Sequence, residues 1–168
     1  LAGPSFRLYA ARDMVGVELA GALKNVYALA AGAVDGANLG ASARAGMIAR
    51  AYAELTRLIV ALGGSAETMG GLAGLGDLAL SCTSTQSRNY RHGVALGQGE
   101  LPPRALAEGV FTAPVALALA QRAGVEAPLV EAVNLLLGGG TKIDRIVAKL
   151  GELRDAVGTR MDLAFDFH

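Results

Sequence analysis

The sequence predicts an all-α fold, one multi-helix globular domain, and three observations carry that prediction. Aromatic residues make up 5% of the chain, and β-branched residues are sparse beside Ala and Leu, a balance that favours helices over strands. Apolar residues recur at helical spacing rather than alternating. The 168 residues are 52% hydrophobic with mean hydropathy +0.40, enough material for one core.

The elements follow in order. Phe6 to Tyr9 reads as a short strand remnant. A first helix runs roughly from Asp13 to Ala33, with Asp13 as N-cap. A second runs roughly from Ser42 to Leu62 and stops at Gly63-Gly64. Its apolar face is Ile48, Tyr52, Leu55, Ile59 and Leu62; its wet face is Arg44, Arg50, Glu54 and Arg57. The stretch "GGSAETMGGLAGLGDLALSCTSTQSRNYRHG" then offers short helices divided by Gly and Ser/Thr turns, with Ser87 capping a helix from about Arg88 to Leu96. After "GQGELPPR" three more are expected: Thr112 to Ala123 with Pro114 in the first turn, Pro128 to Leu137, and Thr141 to Leu150. The tail "GELRDAVGTRMDLAFDFH" is amphipathic. The expected organisation is a linker or domain remnant over 1–10, a helical domain over 11–150 and a tail over 151–168.

Charge and cysteine usage narrow the function. Lys+Arg and Asp+Glu are both 15, so a nucleic-acid partner, which needs a basic excess, is not expected. The single cysteine, Cys82, cannot form an internal disulfide, which fits a reducing cytoplasm. One Cys with the distant His92 and His168 makes no zinc set, and no metal is expected. The longest apolar run, roughly Val26 to Val34, is too short to span a bilayer, so no membrane is expected. "LAGPSFRLYAARD" has neither an initiator Met nor the pattern of a signal peptide, and reads as the start of a fragment.

Four clusters are candidates for chemistry. In "GVELAGALKNVYALAAG", Lys24 and Asn25 interrupt an apolar helix. The neighbours of Lys24 at helical spacing are Ala20, Gly21, Tyr27 and Ala28, and none is acidic. Either the ammonium snorkels to water, or it is shielded in a cleft and exchanges a proton with an oxygen. In "GLAGLGDLALSCTS", Gly71, Gly74 and Gly76 allow close backbone approach. Asp77 is the only charge between Met69 and Arg88, and is either an N-cap or the counter-charge that Lys24 lacks. In "SCTSTQSRNYR", Ser87, Arg88 and Asn89 at a helix start make an anion pocket, unless the helix is merely capped and Arg88 faces water. Glu108 in "LAEGV" is by itself a solvated carboxylate. No G-x-G-x-x-G occurs, so no dinucleotide-binding domain is expected within these residues.

The stretches "RLYAARDMVGVELAGALKNVYALAAG", "GLAGLGDLALSCTSTQSRNYRHGVALGQG" and "AEGVFTA" together resemble the C-terminal half of bacterial-type NAD(P)-dependent glycerol-3-phosphate dehydrogenases, over roughly residues 6–150. The resemblance implies a helical substrate domain like the C-terminal domains of 6-phosphogluconate and glycerol-3-phosphate dehydrogenases. The Rossmann domain that precedes it in the family is not expected in this chain. It implies interconversion of sn-glycerol 3-phosphate and dihydroxyacetone phosphate with NAD or NADP, in glycerophospholipid synthesis. By resemblance Lys24 is the proton acceptor, beside Asn25, and is itself substrate-binding. Asp77, Ser87, Arg88 and Asn89 contact substrate. Arg88, Glu108 and Leu106 reach the cofactor, Leu106 standing where a valine is usual. "LAGPSF" resembles a loop whose glycine and serine, here Gly3 and Ser5, touch substrate, but it runs straight into "RLY" without the strand–helix stretch expected between. A small-molecule partner, a cytoplasmic location and a homodimer are the further expectations. The competing readings are a ketopantoate-reductase-like or hydroxyacid-dehydrogenase-like helical domain, and a non-catalytic helical interaction module with Lys24 exposed and distant from Asp77 and Arg88.

Overall fold

A computed structural model describes residue 3 and residues 9–138. The expected helix from Thr141 to Leu150, the tail, Ser5 and most of the Phe6 to Tyr9 strand lie outside the described residues. Among those described, seven α-helices and one π-helical turn follow one another: α1 (Met14–Gly36), α2 (Ala41–Ala61), α3 (Ala66–Gly70), the π turn (Leu72–Gly76), α4 (Asp77–Thr83), α5 (Arg88–Gln98), α6 (Glu108–Ala123) and α7 (Pro128–Leu137). The all-α expectation is met.

The central element is α1, which packs against α2, α4, α5, α6 and α7. Its start is fixed as the sequence suggests. Asp13 Oδ1 accepts the Gly16 amide at 2.8 Å, while Oδ2 accepts the Ser65 amide and the Thr68 hydroxyl, tying α1 to the start of α3. Small residues such as Ala20, Ala28, Ala31 and Gly32 let neighbouring helices close in on it, and Leu23, Val26, Tyr27 and Leu29 fill the core. By length and composition the 23 residues of α1 are enough to cross a membrane, longer than the run anticipated from Val26 to Val34; here 44% of its apolar stretch is buried, with other helices packed on it.

The pairing of α1 with α5 depends on glycine. A Cβ on Gly93 would lie 2.1 Å from the Leu29 carbonyl oxygen, and one on Gly97 2.3 Å from that of Ala33. From the other side, a Cβ on Gly32 would meet the Tyr90 carbonyl at 2.0 Å and one on Gly36 that of Val94 at 2.1 Å. The obstacles are backbone atoms, so the two helices touch main chain to main chain. They run parallel: Asn89, Gly93 and Gly97 stand beside Asn25, Leu29 and Ala33, while Tyr90 and Val94 stand beside Gly32 and Gly36.

Two expectations are corrected. Glu54 does not lie on the wet face of α2: it is 2% exposed, on the same side as Ala51, Leu55 and Leu58. Its carboxylate accepts the Leu129 and Val130 amides at 3.0 and 3.1 Å and the Tyr27 hydroxyl at 3.3 Å, so it caps α7 from inside the core. Four amides at a helix start have no helical acceptor, and α7 has no capping side chain of its own. Helix α6 begins at Glu108 rather than Thr112, which puts Pro114 inside the helix instead of its first turn. The earlier start is supported by the Gly109 amide, which finds an acceptor in Asn89 Oδ1 at 2.8 Å. Pro114 is exposed, where a carbonyl lacking its helical N–H can be hydrated.

Candidate active site

Lys24 projects from the middle of α1 and pairs with Asp77, the first residue of α4. Their side chains are 21% and 35% exposed, so the pair is shielded yet reachable. Asp77 is thus the counter-charge that Lys24 lacks at helical spacing, and not an N-cap. The π turn places it there. Gly74 is buried, and a Cβ on it would stand 2.4 Å from the Met69 Cα. That glycine serves packing on α3; no ligand is needed to explain it. π-helical turns are uncommon and frequent at functional sites.

The neighbour of Lys24 opens a second link. Asn25 Oδ1 accepts from Asn89 Nδ2 at 2.9 Å, and Asn89 Oδ1 accepts the Gly109 amide at 2.8 Å. Asn89 is 4% exposed, so this amide is a buried cross-brace between α1 and the starts of α5 and α6. Gly109 is required at the far end, since a Cβ there would lie 2.5 Å from the Asn25 carbonyl oxygen. The brace brings Lys24–Asn25, Arg88–Asn89 and Glu108–Gly109 into one neighbourhood.

At its outer edge Arg88 Nη2 donates to Glu108 Oε1 at 2.5 Å, both side chains partly exposed. The Ser87 hydroxyl accepts the Tyr90 amide at 3.3 Å and caps α5. Leu106 is exposed just before α6, and Gly3 is exposed, with no atom of the described residues within 4 Å of where a Cβ would stand. Below this edge, the Tyr90 hydroxyl donates to Asp35 Oδ2, which also accepts from Arg44 Nη1 at 2.5 Å, pinning α5 to α1 and α2. Burial and the Asp35 carboxylate push the Tyr90 phenol above its ordinary range.

Sequence reasoning missed this tyrosine network, the Asn25–Asn89–Gly109 brace and His92. The Nδ1 of His92 is buried without a hydrogen-bond partner among the described residues, and desolvation holds its imidazole below the usual range. Among the described residues no three His, Cys, Asp or Glu side chains gather to hold a metal. Cys82 is buried, and desolvation pushes its thiol up to about 12.

The fold and site define a helical domain that presents a shielded lysine–carboxylate pair beside an arginine-bearing helix start. The chain belongs to the family described as NAD-dependent glycerol-3-phosphate dehydrogenase C-terminus, whose model matches residues 13–148. It is 52% identical over 151 residues to glycerol-3-phosphate dehydrogenase [NAD(P)+] of Brucella ovis, covering 89% of this chain and 46% of that protein. It is 54% identical over 144 residues to the protein of the same name from Chelativorans sp., covering 85% and 44%. The crystal structure of glycerol-3-phosphate dehydrogenase from Coxiella burnetii matches with TM-score 0.83 and 42% identity, over 91% of this chain and 48% of that one. The chain therefore spans about half the length of the relatives it matches.

Proposed function

We propose that this chain is the substrate-binding and catalytic helical part of an oxidoreductase that interconverts sn-glycerol 3-phosphate and dihydroxyacetone phosphate with NAD or NADP, feeding glycerophospholipid synthesis. The Lys24–Asp77 pair carries the reading: an amine shielded by apolar helix yet accessible, beside an Arg88-bearing helix start. Lys24 takes the proton of the C2 hydroxyl when the alcohol is oxidised and returns it when the ketone is reduced. Asp77 fixes the direction of the amine. Arg88 offers a planar fork to the phosphate at the positive end of α5. Asn89 holds that helix start in place and has one amide hydrogen left for a ligand. Gly3 and Ser5 complete the substrate contacts in this proposal.

The nicotinamide, when bound, supplies the hydride acceptor or donor. The residues present fit the edge of such a cofactor: Arg88, Glu108 and Leu106 are accessible together at the start of α6. The described residues hold no glycine-rich dinucleotide loop, since Gly74 is spent on packing against Met69. A cytoplasmic location, a homodimer and the lack of membrane attachment belong to the same proposal.

Replacing Lys24 tests it. In the enzyme that joins this chain to a dinucleotide-binding domain, Lys24→Ala should lower kcat by about 10²–10⁴-fold, the usual contribution of a general acid–base group. Circular dichroism should show the helices unchanged. A variant with near-normal kcat would overturn the assignment.

A further inference from the structure

We propose that Glu108 is the resident counter-ion of the Arg88 anion site, a charge that an incoming phosphate must displace from the guanidinium. The inference rests on reading Arg88 as a phosphate ligand and adds what controls its availability. Arg88 is the first residue of α5, where the positive end of the helix dipole disfavours a cation. Glu108 is the first residue of α6, where the same effect favours an anion. Their 2.5 Å contact neutralises the guanidinium.

Two observations separate this pair from an incidental surface bridge. First, Glu108 is held opposite Arg88 by the backbone, because Asn89, the residue after Arg88, binds the amide of Gly109, the residue after Glu108. Second, the neutral groups of the pocket are partly engaged, the Ser87 oxygen by the Tyr90 amide and the Asn89 side chain by Asn25 and Gly109, with one Asn89 hydrogen to spare, which leaves the guanidinium as the charged donor at this helix start. Arg88 uses one nitrogen on Glu108, its only partner among the described residues. With side chains 51% and 41% exposed, the pair is screened by water and exchanges readily, unlike a buried bridge. A phosphate arriving at the guanidinium meets the carboxylate as a like charge at close range. Glu108 thereby sets how strongly an anion is held and lets the bound phosphate leave again.

Titrating the 168-residue chain with sn-glycerol 3-phosphate and, separately, with ADP-ribose tests this, followed by amide chemical-shift changes in NMR. The first carries a phosphomonoester and the second a pyrophosphate, so the two arms tell a substrate phosphate from a cofactor phosphate. Glu108→Gln removes the charge and keeps the shape; it should tighten binding in the arm that occupies Arg88 by roughly three- to tenfold, the size expected for one screened like charge a few ångströms away. Glu108→Asp should stay near the starting affinity. In the Arg88→Ala background, Glu108→Gln should change nothing, which isolates the coupling between the two residues. Arg88-dependent binding that Glu108→Gln leaves unaltered would overturn the counter-ion while leaving the phosphate site standing. The same gain with and without Arg88 would overturn it too, as a general charge effect. No Arg88-dependent binding in either arm would overturn the phosphate reading and the counter-ion with it.

Discussion

Among single residues, Glu54 is held by the Tyr27 hydroxyl and by two amides at the start of α7, with almost no exposure. Burial raises its carboxyl above the usual range, although the two amides and the hydroxyl pull the other way. Removing the side chain leaves those donors buried without an acceptor, at a cost of 1–3 kcal/mol for an unsatisfied group. Glu54→Ala should therefore destabilise the fold by about 3 kcal/mol in urea unfolding. The pH dependence has a definite sign. With its folded pKa above the unfolded value, the folded chain binds more protons in between, so this group's contribution falls as pH rises from the ordinary glutamate range through the folded pKa. The penalty of Glu54→Ala should be larger below that window than above it. An unchanged penalty would mean that the carboxyl titrates alike in both states. Asp13 carries the opposite sign: the Thr68 hydroxyl and the Gly16 and Ser65 amides hold its carboxyl below the usual range. Its contribution is present above the ordinary aspartate value and is lost as pH falls through the folded pKa.

At the scale of elements, the parallel seam of α1 and α5 aligns the site. It sets Asn89 against Asn25 and so fixes where Arg88 lies relative to Lys24. Alanine is the better helix former by about 1 kcal/mol, so glycine in a helix interior calls for a reason. In α2 the structure offers none for Gly46, which is exposed with nothing near a Cβ, and Gly46→Ala should stabilise by about 0.5–1 kcal/mol. In α5, Gly93→Ala would drive a methyl into the Leu29 carbonyl, an obstacle that cannot rotate away. Overpacking of this kind costs about 1–3 kcal/mol and exceeds the gain in propensity. Thermal unfolding of both variants should move in opposite directions. Equal shifts would show that the α1–α5 backbones are not in contact.

For the whole molecule, the Lys24–Asp77 pair and the Arg88-bearing helix start are gathered around one helix, α1, while no dinucleotide cradle is found among the described residues. In the proposed reaction hydride transfer requires the nicotinamide held against C2 of the substrate, and positioning of this sort can supply about 7–11 kcal/mol of the barrier. The 168-residue chain, incubated with dihydroxyacetone phosphate and NADH or NADPH, should fold and yet show no chain-dependent loss of the reduced-cofactor absorbance. Measurable oxidation of either cofactor would mean that these residues hold a cofactor site of their own.

The helical class, the Asp13 cap, the Ser87 cap and the general course of α1, α2, α5 and α7 were legible in the sequence, because composition, caps and periodicity act between residues close in the chain. Lys24 could be singled out in the same way, as a charge without a helical neighbour to balance it. Its partner could not be chosen by spacing, since Asp77 is 53 residues away and fits an N-cap equally well in sequence. Glu54 was misplaced for a related reason: a carboxylate on a helix is assigned to water by its type, and only the arrival of the α7 amides makes burial affordable. Asn89 and Gly109 acquired their bracing role only when α1, α5 and α6 met, and the seam glycines only when two backbones came into contact. Local pattern determined which segments are helices and which charges stand out. Tertiary packing decided which of those charges meet, because satisfaction of a buried polar group is set by what lies across the core and not along the chain.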